Sequence, residues 1–322
     1  MIMWKTILRR VLLMIPQIII LSLFVFLMAS AMPGDPFTGL ITPDMDPATI
    51  ERLREAAGLN NPWYIRYWDW IVNALQGDFG KSFTYKIPVS EVIGQRVGNT
   101  IWLSIVSLIF TYLLAIPLGM FAGRYNGSWG DKAISFYNYF SFAIPTFVFA
   151  LLLIWIFGFN LGWFPTRGTV QTGVAPGTFA YVWSRIYHLI LPALSYALLA
   201  TTSTIQYLRT GVIDAKQEDY VKTARSKGVP ENKVYNKHIF RNSILPIASF
   251  IGYDITGLIG GSIFIERIFS FPGMGRLFID SLLARDYSVI TALILLFGLT
   301  ALFGTLLSDI IMSIVDPRIR IE

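Results

Sequence analysis

Apolar residues in this chain gather in long runs, not in the alternating patches of a half-buried strand or the single stripe of a surface helix. A helix needs about 20 mostly apolar residues to cross the hydrocarbon core of a bilayer. Six stretches qualify: 11–31, 99–121, 134–159, 188–205, 244–265 and 289–315. Two acids, Asp254 and Asp309, fall inside these windows, and no lysine or arginine does. Backbone facing lipid must satisfy its own hydrogen bonds, so each window is predicted helical. Pro16, Pro117, Pro145 and Pro192 lie in or near them, where proline kinks or starts a helix. The expected fold is an all-α integral membrane protein with six transmembrane helices.

The first run resembles a secretory leader, with Lys5, Arg9 and Arg10 ahead of it and Ala29-Ser30-Ala31 at its end. Its apolar length from Val11 to Met28 exceeds the 7–15 residues of a leader core, so it is read as a retained helix. The chain then divides into 1–31, a polar segment 32–98, and a core 99–322 that includes the polar loop 206–243.

Composition agrees: 54% of the 322 residues are hydrophobic and 14% charged, where soluble domains sit near a quarter charged. Placement of charge then sets orientation. With the N-terminus inside, segments 1–10, 122–133, 206–243 and 316–322 hold 15 of the 26 lysines and arginines. The short outer segments 160–187 and 266–288 hold five, and a loop as long as 32–98 counts little. Both termini are therefore expected on the cytoplasmic side, with 32–98 outside. The inner segments carry a net charge of +8 and the outer ones zero. The overall +6 is thus topological, and a nucleic-acid platform is not called for.

Candidate chemistry is sparse. No cysteine is present, and the two histidines, His188 and His238, fall on opposite sides of the predicted membrane. That removes disulfides, thiolate catalysis and a two-histidine protease helix, and leaves Ser262 without an orienting base. Gly80-Lys81-Ser82 mimics the end of a phosphate loop, but position 75, where that motif needs glycine, is Leu75. In the outer segment, Ala48–Ala57 reads as a short amphipathic helix. The aromatic run Trp63-Tyr64-Ile65-Arg66-Tyr67-Trp68-Asp69-Trp70 reads either as a cap on the headgroups or as a docking surface.

The loop 206–243 predicts two helices around a bend. Gln206–Lys227 continues helically from the fourth window, with Val221, Ala224 and Gly228 at i, i+3, i+7; Gly228-Val229-Pro230 breaks the helix; and 231–242 forms the next. The bend suits insertion into a partner's groove, the alternative being a solvated basic loop held on anionic lipid. Asp254, near the middle of its window, is costly there. It either faces a pathway and receives a cationic group, or makes a structural hydrogen bond. Asp309 is expected to pair with a basic inner residue. Phe271-Pro272-Gly273-Met274-Gly275 is either part of an outer gate, with Phe271 and Met274 as its plug, or a rigid capping turn.

At these residues the sequence resembles the B-type permease of bacterial oligopeptide and dipeptide ABC importers (OppB/DppB-type). The likeness is carried by Asp219-Tyr220-Val221-Lys222-Thr223-Ala224-Arg225-Ser226-Lys227-Gly228 with Arg241-Asn242-Ser243-Ile244-Leu245-Pro246, similar to the family's coupling motif. Lys222-Thr223-Ala224 stands where the wider superfamily has Glu-Ala-Ala. Pro33-Gly34-Asp35-Pro36, Gly77-Asp78-Phe79-Gly80-Lys81-Ser82, Asn99-Thr100, the run Glu266 to Leu277, and Asp316-Pro317-Arg318 match in order.

The resemblance implies a type I importer permease in a bacterial cytoplasmic membrane that carries peptides as a heterodimer with an OppC/DppC-type permease. Two OppD/OppF-type ATPases would supply ATP and Mg, with no cofactor on this chain, and an OppA/DppA-type binding protein would deliver substrate from outside. Carried over residue by residue, it assigns Tyr220, Val221, Ala224, Arg225, Gly228, Val229 and Pro230 to ATPase coupling. Pathway or gate candidates are Asp254, from its place in the window, and Phe271, Pro272, Gly273 and Met274, whose gate reading the resemblance favours. Nickel chelates, glutathione or sugars are alternative cargoes within the family. A secondary transporter or channel is the alternative of another class, and would work without ATPases.

Overall fold

The computed structural model describes residues 2–31, 47–56, 58, 60–261 and 263–315. Pro33-Gly34-Asp35-Pro36, Ser262 and Asp316-Pro317-Arg318 lie outside them. Among the described residues the structure is helical, with one isolated antiparallel bridge between Lys81 and Pro88. The helices are α1 (Ile2–Ala31), α2 (Pro47–Ala56), α3 (Trp63–Leu75), α4 (Val89–Arg124), α5 (Trp129–Ala143), α6 (Thr146–Leu153) and α7 (Phe179–Ala215). There follow α8 (Asp219–Ser226), α9 (Glu231–Lys233), α10 (Phe240–Ser243), α11 (Leu245–Gly261), α12 (Ile263–Ile268), α13 (Met274–Ala284) and α14 (Tyr287–Val315).

Among the described residues, four helices are long and apolar enough to cross a membrane: Ile7–Ala31, Val89–Arg124, Phe179–Ala215 and Tyr287–Val315. At 36 and 37 residues, α4 and α7 run about 54 Å, well past a core of about 30 Å, so the windows 99–121 and 188–205 are only their lipid-length middles. Pro117 and Pro192 are accommodated inside them.

The window 134–159 is not one continuous helix. It is split between α5 and Thr146–Asn160, bent by 108°, and counts as a fifth span only if the pair is taken together. The cause is local. Proline crowds the residue before it out of the α region, and Ile144 is extended, with φ −87° and ψ 127° ahead of Pro145. Beyond Leu153 the second arm widens into π-helical turns over Ile154–Asn160. The window 244–265 appears as α11, 17 residues long, followed by α12.

Small residues let the long helices approach. Gly119 and Gly123, one turn apart on α4, face α7: a Cβ would stand 2.9 Å from the Leu208 Cβ and 2.6 Å from the Val212 Cβ. Gly252 on α11 and Gly304 on α14 leave just as little room for each other's helices, and Gly298 admits Leu21 of α1. Close backbone approach through small residues is how helices associate in lipid, where apolar burial supplies no drive.

α3 lies against α1. Tyr67 Oη and Ser22 Oγ are 2.8 Å apart, and Phe26 meets the Tyr67 ring edge-on at 5.4 Å. Trp63, Tyr64 and Trp68 face outward. The phosphate-loop mimic is a structural latch. Ser82 is buried and donates to Asp286 Oδ2 at 2.5 Å, which also accepts from Thr84 N.

Candidate functional site

At one end of the bundle α8 turns back on its own chain. Val221 and Ala224 are buried against Leu208 and Val212 of α7, Ile247 of α11 and Val234, Tyr235 and Ile239. The apolar stripe is thus spent on intramolecular packing. Of the residues carried over for coupling, Tyr220, Arg225, Gly228 and Pro230 face outward, Val229 is half-buried, and Val221 and Ala224 are turned in.

The bend is a Schellman closure. Val229 N donates to Ala224 O at 3.2 Å and Gly228 N to Arg225 O at 2.9 Å, with Gly228 left-handed at φ +73°. Val229 packs back onto the cluster that holds Ala224. Pro230 then caps the next helix. Across the bend, Arg225 donates to both carboxylate oxygens of Glu231, at 2.7 and 3.2 Å. This pair holds the Glu231 carboxyl below the usual carboxylate range.

Further ties fasten this region to α4 and α5. Lys216 Nζ donates to the carbonyls of Gly123 and Arg124, at 2.8 and 3.3 Å, capping the end of α4. Burial lowers the Lys216 pKa. The Arg124 guanidinium sits 4.6 Å from the centre of the Tyr235 ring. Arg209 of α7 grips Asp131 of α5 at 2.6 and 2.9 Å.

In mid-bundle, Asp254 accepts a 2.5 Å hydrogen bond from Tyr112 on α4. Its half-buried carboxylate borders a cavity of about 370 Å³ between α4, α7 and α11, lined also by Tyr196, Ser203, Thr204, Tyr207 and Phe250. Asp309 pairs with Arg10 of α1, Nε to Oδ2, at 3.2 Å.

At the far end, Phe271 and Met274 are 1% and 3% exposed. Phe271 packs with Leu103 and Ile154, and Met274 with Val92 and Leu293, so in this conformation neither is a free plug. The turn carries an acid that hydropathy left just beyond its window. Glu266, fully buried, accepts from Thr100 Oγ1 at 2.8 Å and Arg276 N at 2.9 Å, while Met274 N donates to the same Thr100 hydroxyl. A Cβ on Gly273 would collide with the Glu266 carboxylate, which is why glycine stands there. Asn99 joins this turn to α7, donating to Pro272 O at 2.9 Å and accepting from Arg185 at 3.0 Å.

His188 is buried on α7 with Nδ1 2.7 Å from Ser184 O, and His238 lies in the π-helical stretch Val234–Ile239. Among the described residues no group of three histidine, cysteine, aspartate or glutamate side chains could hold a metal.

Comparison with known proteins matches two family descriptions over this chain. Residues 115–321 match "Binding-protein-dependent transport system inner membrane component" and residues 3–106 its N-terminal counterpart. The oligopeptide transport system permease protein AppB of Bacillus subtilis (strain 168) is 41% identical over 315 residues, 98% of each chain. The glutathione transport system permease proteins GsiC of Escherichia coli (strain K12) and Salmonella typhi are each 36% identical over 318 residues, 99% of each chain.

Proposed function

The chain belongs to the family of binding-protein-dependent transport system inner membrane components, and on that premise we propose that it is one of two permeases forming the path of an ABC importer for oligopeptides. Such a protein is a multi-pass transport subunit of the cytoplasmic membrane, not a catalyst. In this reading six spans cross the bilayer: α1, α4, the α5–α6 pair, α7, α11 with α12, and α14. Both termini and α8 face the cytoplasm, in keeping with the lysine and arginine distribution.

The observation that carries the proposal is the α8 bend. A short helix stands on the ends of α4, α7 and α11, its apolar side inward and Tyr220, Arg225, Gly228 and Pro230 outward. An ATPase closing on ATP and Mg would press that outward face, with Val221, Ala224 and Val229 passing the push into the bundle. Alternating access follows if α4 and α7 then tilt together. Asp254 lies on the route. The turn around Phe271, Pro272, Gly273 and Met274 stiffens the far end, and gates it only if it unpacks in another state.

The partners in this reading are an OppC/DppC-type permease, two OppD/OppF-type ATPases and an OppA/DppA-type binding protein. Glutathione is the second reading for the cargo, favoured by the 36% relatives. Proteoliposomes holding the four membrane and ATPase subunits, given binding protein and ATP, should accumulate a labelled oligopeptide. Accumulation by this chain alone on an ion gradient would refute the proposal. Accumulation of glutathione and no peptide would select the second reading.

A further inference from the structure

We propose that the cavity around Asp254 is a transit site for a protonated primary amine, the amino-terminal ammonium of a passing peptide; this rests on the importer reading above. Its wall carries one charged group, the Asp254 carboxylate, beside the rings of Tyr196, Tyr207 and Phe250 and the hydroxyls of Ser203 and Thr204. No lysine, arginine or histidine stands among the described lining residues. A peptide's carboxylate entering here meets an acid and no base. An ammonium meets a charge-assisted acceptor and aromatic faces suited to a cation.

Position and size agree. Asp254 is close to the middle of α11, where an ionisable side chain is costly enough that a pathway role is the default reading. Tyr112 donates to Oδ2 and so positions the carboxylate, which retains acceptor capacity on Oδ1. At about 370 Å³ the cavity is at the small end of ligand pockets, matching one terminus of a peptide and not its whole length.

The helix break supplies an independent pointer to an aqueous route. Extended backbone at Ile144-Pro145, inside an apolar window of membrane-spanning length, is tolerated in a bilayer where it is packed in protein or lines a watery cavity. Ile144 borders a second cavity of about 300 Å³. That cavity shares Tyr196, Ala200 and Ser203 with the first, so the two flank one wall of α7. A polar track passing the break would bring a peptide end to Asp254.

The test compares trialanine with N-acetyl-trialanine in proteoliposomes of the complete importer. Wild type should favour the free amine by roughly tenfold or more, the worth of one hydrogen bond to a charged group. Asp254→Asn should bring the two near parity, and Asp254→Glu should recover part of the preference. Because the separate binding protein has a preference of its own, a second readout uses the purified complex without it. Radiolabelled phenethylamine should bind wild type by equilibrium dialysis, not Asp254→Asn, and Tyr112→Phe only at higher concentration. Unchanged peptide preference with unchanged phenethylamine binding in Asp254→Asn overturns the proposal. If wild type takes up neither peptide, the importer reading fails, and the amine titration alone decides the cavity. If Asp254→Asn does not assemble, unaltered amine affinity in both Asp254→Glu and Tyr112→Phe overturns it.

Discussion

Left-handed backbone at Gly228, with nothing within 4 Å of where a Cβ would stand, separates local strain from partner contact. Gly228→Ala adds strain of about 1 kcal/mol and no clash within the chain. Thermal melting should register that small loss, while Gly228→Trp should melt similarly and yet abolish ATP-driven uptake. Normal uptake by Gly228→Trp would remove the bend from the coupling surface. The Arg225–Glu231 clamp is largely exposed, so its contribution stays within about 1 kcal/mol. With the Glu231 pKa depressed, that contribution is present above the ordinary glutamate pKa of about 4.3 and is lost as pH falls through the folded value. Arg225→Glu should speed tryptic cleavage after Lys227, and the double swap with Glu231→Arg should slow it again. Ser82→Ala strips the buried Asp286 of a donor and should cost about 1–3 kcal/mol in the melt of the purified protein.

Helix pairing depends on glycines whose role hydropathy cannot register. Gly123→Leu would drive a branched side chain into Val212, forcing α4 off α7 at a cost of about 1–3 kcal/mol or more. A lowered melting midpoint and poorer recovery of assembled complex check this, whereas unaltered melting would mean that the helices part freely. Hydropathy located the long helices, because lipid selects for uninterrupted apolar length. It was blind to the 108° turn inside 134–159, for which Pro145 was the one local sign. The expected continuous helix Gln206–Lys227 is instead broken at residues 216–218 between α7 and α8, and the i, i+3 stripe of Val221 and Ala224 reads alike whether it packs on its own bundle or on a partner. Glu266 stood in the sequence only as the first residue of a matching run, because its charge placed it just past a window edge and its tie to Thr100 joins residues far apart in the chain.

Orientation of the whole molecule is open to direct labelling, since the chain holds no cysteine. Thr172→Cys and Asn236→Cys, both at exposed positions, should react with an impermeant maleimide from outside and inside the cell respectively. The reverse pattern would invert the topology and place α8 beyond reach of cytoplasmic ATPases. Motif order along the chain conveyed the family before any geometry was known, yet the cavity at Asp254 was not legible. Its walls come from α4, α7 and α11, and only the fold makes them neighbours.

The Lys216 bonds to the last carbonyls of α4 have a mechanical corollary. Two rods lashed together at one tip by Lys216, and at the other by Arg185 and Asn99, behave as a single beam. If the proposed coupling displaces the α8 bend, the beam would carry the movement to the buried Glu266 turn on the opposite face.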